Sequence, residues 1–425
     1  MSTETKEKQM WNLWKNTFHD SDEYINLVFD NYYDPELTET YEENGKIVSC
    51  LMGVPYRFVN GDDSFNALYL CGLATDKEFR RKGYMGELLR NAEKRFKDHF
   101  DMLFLIPSSE SLLAYYDNHG YHKGIYRTEE RYTAAHDFRN DFVMSLQKVD
   151  ERIRDMKIEL LDRLEIKKIS FPDIEAKEQL KDYIRSKEEG KKNYAMLCHS
   201  EKDIEAVIKE NEISGGDIYI CKDKDDNITG VSFSNIIDKE RIQILQIYHD
   251  NPASYYKLLH HIKFTFPDNP ITVWQPLSDG HKTALREEYF GTENPDGGDL
   301  DPEFGDALRP FDPWLNAKVY GVVNILNYGS ILRYIAKNNP KRQFTIFIKD
   351  SIESNSGLFC SNYKGKVEIS EFEDFHILLQ KYPNLTVLTK KETTELLFRK
   401  KGESSIITDI FGISPLHLYM SLLLD

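Results

Sequence analysis

Residues 70–96 constrain this chain more than any other stretch. Leu70–Thr75 is a short apolar run of strand character, and Asp76–Gly83 is a turn carrying Arg80, Arg81, Lys82 and Gly83. From Arg81 to Phe100 the apolar residues Leu88, Leu89, Ala92 and Phe96 recur on one side of a helix. A strand feeding a helix through such a turn sets unpaired backbone N–H groups and the positive end of the helix dipole at the end of a sheet. Gly83 and Gly86 let backbone come close to an anion, and the three cations add charge. The chain carries 55 Lys plus Arg against 71 Asp plus Glu, a formal charge of −16, so a local basic triplet stands out. An ordinary helix start with solvated cations is the competing explanation.

The surroundings are those of an α/β chain. Helical spacing over residues 4–18 and 24–32 precedes an Asn44-Gly45 hairpin signal, with strands at 47–57 and 67–75. A buried strand is predicted at 102–107 and a helix at 110–119 that closes on Gly120. Residues 147–191 are densely charged and read as a connector with solvated elements. A second unit rehearses the first, with a strand, an Asp225-Asp226-Asn227 turn and a strand at 228–233 within residues 217–234, then a strand at 241–248, a helix at 253–264 and a strand at 271–274. Gly291 to Gly305 is the best linker candidate, and a third block of α+β style follows it.

Composition excludes several classes of function. The net negative charge makes nucleic acid an unfavourable partner. No apolar run approaches the ~18 residues of a membrane-spanning helix, and the first residues carry no secretory pattern, so no membrane partner and a cytoplasmic location are expected. Five dispersed cysteines, Cys50, Cys71, Cys198, Cys221 and Cys360, read as reduced core thiols without a metal site.

A second motif gives the turn its meaning. After the 102–107 strand stands Ala114-Tyr115-Tyr116-Asp117-Asn118-His119-Gly120-Tyr121. The order strand, Arg-x-x-Gly, helix, strand, helix with Tyr-x-x-x-Gly-Tyr resembles the Gcn5-related N-acetyltransferase (GNAT) superfamily. The resemblance implies an N-acetyltransferase that uses acetyl-coenzyme A. Leu73, Ala74 and Thr75 would then offer backbone groups to pantetheine. Arg80, Arg81, Lys82, Gly83, Tyr84, Met85 and Gly86 would hold pyrophosphate, and Tyr116 would protonate the departing thiolate. One departure from the usual Arg-x-x-Gly-x-Gly/Ala is Met85, with glycine one residue later.

With its length, this turn resembles the enhanced intracellular survival (Eis) branch. That resemblance implies tandem GNAT-like domains over residues 1–145 (catalytic) and 146–300 (degenerate), then a sterol-carrier-protein-like α+β domain over residues 301–425. It further implies a homo-oligomer, a hexamer in that branch, and an amine acceptor on a cationic small molecule, aminoglycoside- or polyamine-like, or on an exposed lysine. The second unit has Asp250-Asn251-Pro252 where the basic turn would be, and a carboxylate there repels phosphate. The chain's own terminal carboxylate, at Asp425, is the base by this resemblance, and the apolar run 415–424 suits a docked terminus. Core packing is an equal reading of that run, as an interior tyrosine is a rival reading of Tyr116. Asp20, Asp22 and Glu23 near Tyr24, Tyr32 and Tyr33 would line an amine pocket, or cap a helix. A coenzyme A- or lipid-binding protein without turnover is the alternative function.

Overall fold

The computed structural model describes residues 4–169, 174–190, 194–237, 240–276, 317–338, 341, 343–364, 366–398 and 418–422. Helices α1 (Lys6–Phe18) and α2 (Asp22–Tyr32) start at Thr5 and Ser21, whose hydroxyl oxygens accept from the N–H groups of Lys8 and Tyr24. Strands β1 (Thr38–Glu43), β2 (Lys46–Asn60) and β3 (Asp63–Thr75) form an antiparallel meander. Asn44 and Gly45 both take positive φ at its first turn, as the Asn-Gly signal requires. Helix α3 (Tyr84–Phe96) leads to β4 (Met102–Leu105), parallel to β3, and α4 (Glu110–Asp117) leads to β5 (His122–Tyr132).

The charged stretch after residue 147 is more ordered than its composition suggests. Following α5 (Phe138–Ser145), it holds α6 (Glu151–Arg163), β6 (Glu165–Lys168) and α7 (Ile174–Glu189). Helix α7 buries Leu180 and Ile184 on one line, and so few apolar positions among charges are easily read as solvated. Next come β7 (Ala195–Cys198), α8 (Glu201–Ile213), β8 (Asp217–Lys222), β9 (Ile228–Ile237), β10 (Arg241–His249), α9 (Pro252–Thr265) and β11 (Ile271–Pro276). Here an earlier pattern recurs. As β3 is antiparallel to β2 and parallel to β4 across a helix, so β10 is antiparallel to β9 and parallel to β11.

The expected linker at Gly291–Gly305 lies outside the described residues. Beyond it run β12 (Ala317–Ile325), α10 (Tyr328–Asn338), β13 (Phe344–Lys349), β14 (Gly357–Tyr363), β15 (Lys366–Phe372), α11 (Phe375–Lys381), β16 (Thr386–Thr389), α12 (Lys390–Phe398) and β17 (Leu418–Tyr419). Strands β13–β16 make a separate sheet in the order β15-β14-β13-β16.

Strands far apart in sequence knit the large sheet, whose order is β12-β4-β3-β2-β7-β17-β5-β11-β10-β9-β8-β6. Strand β12 lies antiparallel to both β4 and β5, so β4, β3, β2, β7, β17, β5 and β12 close a ring. Strand β5 in turn lies antiparallel to β11. One face of β2–β3, with Met52, Val54, Phe58, Ala67 and Cys71, packs with Met10, Trp14, Ile25 and Phe29 of α1 and α2. The opposite face, with Leu51, Leu68 and Leu70, packs with Leu88 and Leu89 of α3 and Tyr116 of α4. Each such large apolar side chain contributes about 1.5–3 kcal/mol on burial. All five cysteines are buried. Among the described residues no helix is long and apolar enough to cross a membrane.

Candidate active site

The fork between β3 and β4 is the feature around which the sequence motifs gather. The parallel pairing comprises only Ala67 with Met102, Leu68 with Leu103 and Tyr69 with Phe104. Strand β4 ends at Leu105 while β3 runs on to Thr75, so Leu70–Thr75 leave the edge that β4 covered. The departure is built into β3. Cys50 pairs with Ala74 but Met52 with Cys71, a bulge that sets Leu51 opposite Gly72 and Leu73. Gly72 has φ +60°, and a Cβ there would lie 2.3 Å from the Trp14 ring, so glycine alone fits. Leu73, Ala74 and Thr75 stand on this bulged end, and the Ala74 carbonyl and Thr75 hydroxyl are held by Ser49 Oγ at 3.2 and 2.8 Å.

Beyond Thr75 the chain makes a 3-10 turn at Lys77–Phe79, then passes through Arg81 and Gly83 in left-handed conformations into α3. No side chain caps α3 at Gly83. The N–H groups of Tyr84, Met85 and Gly86 therefore start a helix whose positive end is open, with nothing within 4 Å of where a Gly83 Cβ would sit. The basic residues divide in role. Arg80 donates its Nε–H to the Thr75 carbonyl at 3.0 Å and so ties turn to strand. Lys82 lies over the Phe79 ring at 4.3 Å, and Arg81 is exposed. Tyr84 stacks on Tyr41 with centroids 4.0 Å apart and donates its hydroxyl to Glu43, so toward an anion it offers only backbone.

The Met85-Gly86 departure has a packing cause. Met85 is half-buried against the α3–α4 core. A Cβ on Gly86 would come within 2.4 Å of His119 Nε2, so this glycine makes room for the imidazole. That ring is fixed by an Nδ1 contact with the Tyr115 carbonyl at 2.8 Å. The end of α4 thereby sits on the first turn of α3, and helix packing requires glycine at position 86.

Tyr116, one turn before Gly120, is buried in the same core as Leu70, Leu88 and Leu105, which come from all three elements of the fork. Among the described residues its hydroxyl makes no hydrogen bond, and burial pushes its phenol up to about 12. A group with that proton affinity is a donor throughout the physiological range. Tyr116 is thus a core tyrosine and an available acid at once. The next residue, Asp117, bonds His122 Nδ1 at 2.8 Å and Lys391 Nζ of α12 at 2.6 Å, which anchors the helix end. Burial acts to raise the Asp117 carboxyl, but these two partners outweigh it and leave it low.

Two further expectations concern acidic residues away from the fork. Asp20 accepts from Trp14 Nε1 at 2.7 Å and Asp22 pairs with Lys15 at 2.8 Å, so they brace the α1–α2 corner rather than line an amine pocket. Asp425 lies outside the described residues. The segment leading to it is docked, with Leu418, Tyr419, Met420 and Ser421 all buried. Strand β17 fills the slot between β7 and β5, which sequence reading did not find. The same end of the second unit is closed, since Asn251 Oδ1 caps α9 by accepting from Ser254 N at 3.0 Å. Asp250 there is bound by Lys187 and Tyr183.

Residues 1–124 match the family model described as an acetyltransferase (GNAT) domain. Comparison with curated proteins finds no match. Among solved structures, a conserved protein of unknown function from Enterococcus faecalis V583, a probable N-acyltransferase, is similar with TM-score 0.59 and 13% identity, over 93% of this chain and 88% of that one. A GCN5-related N-acetyltransferase from Kribbella flavida gives TM-score 0.58 and 12% identity over 98% and 96%. Eis1 from Mycobacterium abscessus gives 0.59 and 9% over 96% and 90%. At these identities the likeness is one of fold. The match of residues 1–124 to an acetyltransferase (GNAT) domain supports an N-acetyltransferase as the class of enzyme.

Proposed function

We propose that the chain transfers acetyl from acetyl-coenzyme A to a primary amine of a cationic small molecule or an exposed lysine. The observation that carries this reading is the uncapped start of α3 at Gly83, set beside the β3–β4 fork with Tyr116, whose hydroxyl is unpartnered among the described residues, in the adjoining core. In this reading the α3 N–H groups with Arg81 and Lys82 hold pyrophosphate, and pantetheine extends along Leu73–Thr75 as a further strand edge. Backbone N–H at the bulge receives the thioester oxygen as charge develops, and Tyr116 gives its proton to the leaving thiolate. The C-terminal carboxylate of Asp425 takes or relays the amine proton, a role that the burial of residues 418–421 supports by docking the segment before it.

The recurring strand pattern supports two GNAT-like units in an Eis-type arrangement, with residues from about 301 forming a third, sterol-carrier-like part. The second unit is catalytically silent in this reading, because Asn251 already caps its helix and Asp250 would oppose phosphate. Mixing the protein with acetyl-coenzyme A and a panel of aminoglycosides, polyamines and lysine peptides, while following thiol release, tests the reading. Amine-dependent release supports it. Coenzyme binding without release for any amine would leave the non-catalytic alternative.

A further inference from the structure

A buried ion pair that the proposed chemistry does not use joins the central part of the chain to its end. Glu188, on α7, is wholly buried and, among the described residues, accepts hydrogen bonds from His199 N at 2.8 Å, His199 Nδ1 at 2.8 Å and the Tyr248 hydroxyl at 2.6 Å. The other ring nitrogen, Nε2, lies 3.2 Å from the carbonyl oxygen of Leu422, at the end of the docked terminal segment. A carboxylate and a backbone carbonyl can only accept. Both nitrogens of His199 must therefore donate, which requires the imidazolium.

We propose that His199 is a positioning residue whose imidazolium, seated on Glu188, latches the Leu422 carbonyl and so holds β17 in the seam between β7 and β5. Loss of one proton breaks the latch. If Nδ1 keeps its hydrogen for Glu188, the Nε2 lone pair faces the carbonyl lone pairs, and attraction turns to repulsion. The rest of the terminal segment is held by ordinary packing and by Tyr419, whose hydroxyl donates to Gln246 at 2.7 Å. Through His199 this docking depends on a proton.

The surroundings agree. Burial alone would lower the proton affinity of His199, but Glu188 above all, with Asp203 of α8 and the Leu422 carbonyl, raises it overall. The ring also faces Tyr56 of β2, centroids 5.9 Å apart, and its partner Glu188 accepts from Tyr248 of β10. An adjoining cavity of about 530 Å³ brings Arg57, Arg185, Glu189, Glu201 and Lys202 to the same side. Since the folded-state proton affinity is raised, the latch is closed below the ordinary imidazole range and opens as pH rises through the shifted value. Tyr56 leads on to Tyr69, 6.5 Å away by ring centroids, and Tyr69 is the last β3 residue paired with β4. The latch thus stands two ring contacts from the fork. Its effect on turnover rests on the acetyl-transfer reading above, whereas its effect on the chain end does not.

Three readouts test it. In protein labelled with nitrogen-15 histidine, and with His199 assigned by its disappearance in His199→Gln, both ring nitrogens should carry protons at pH 6, below the ordinary imidazole value. A neutral tautomer in the folded wild type overturns the proposal. Carboxypeptidase should release C-terminal residues about tenfold or more faster from His199→Gln and Glu188→Gln than from wild type at one pH, the loss expected for a charge-assisted hydrogen bond. Equal rates overturn it. Should either variant not fold, release from wild type between pH 6 and 9 should rise more steeply than from a peptide of residues 414–425, and parallel curves overturn the latch. With an accepted amine, kcat in His199→Gln should fall about tenfold while KM for acetyl-coenzyme A stays within about twofold. If the wild type transfers no acetyl group, the functional reading fails, and the first two readouts still decide the latch.

Discussion

Gly86 offers a test in which sign, and not only size, is expected to change. It is the third residue of α3, and a methyl there would meet His119 Nε2 at 2.4 Å, a distance no carbon keeps. The imidazole cannot swing aside freely, being bonded to the Tyr115 carbonyl at 2.8 Å and tilted over the Tyr115 ring at 4.5 Å. Gly86→Ala gains about 0.8–1 kcal/mol of helix propensity. Against that stand about 1–3 kcal/mol of overpacking and about 0.5–1.5 kcal/mol for the displaced hydrogen bond. The net is a destabilisation of about 2 kcal/mol. In a His119→Ala background the methyl has room, only the propensity remains, and the same substitution should stabilise by about 1 kcal/mol. Urea unfolding of the four proteins, followed by circular dichroism, gives a coupling of about 3 kcal/mol. Coenzyme titration separates packing from anion approach, since affinity lost in Gly86→Ala should return in the double variant. A penalty unchanged by His119→Ala would refute the reasoning.

Other substitutions read other parts of the site. Tyr116→Phe keeps the buried ring and removes the acid, so kcat should fall by about 10² with acetyl-coenzyme A affinity nearly intact, checked by steady-state kinetics and calorimetry. A folded, fully active variant would remove Tyr116 from the mechanism. Because the Asp117 carboxyl is held low, the stability it draws from Lys391 and His122 is present above about pH 4 and is lost as pH falls further. Lys391→Met should therefore lower the urea midpoint at pH 7, with the difference from wild type shrinking below about pH 4. One glycine appended after Asp425 moves the terminal charge by roughly 3.5 Å and should slow turnover more than it weakens coenzyme binding. A harmless extension would mean the proton goes to another base.

The local parts of this fold were legible from sequence, and the long-range parts were not. Helices α1 and α2, the Asn44-Gly45 hairpin and the strand, turn and helix of residues 70–96 follow from patterns within a dozen residues. Strands β7, β12 and β17 owe their places to partners up to hundreds of residues away, and no local period records such a pairing. Within its own turn Gly86 suggests only an approach to an anion, because the obstacle, His119, belongs to another helix. The Glu188–His199 pair did leave a trace. Leu180, Ile184 and Glu188 follow one another at helical i, i+4 spacing, and a carboxylate where the third apolar residue should stand marks a buried acid in need of a partner. That trace lay inside a run of charges, where one more acid draws no notice.

The central claim is that the open start of α3 binds the coenzyme, once per chain. Isothermal titration of acetyl-coenzyme A into the wild type and into Arg81→Glu with Lys82→Glu tests it most directly, because both cations are exposed. The account predicts one site per chain in the wild type and an affinity lower by about 100-fold or more in the charge-reversed protein. Two sites per chain, or an affinity that the charge reversal leaves unchanged, would contradict it.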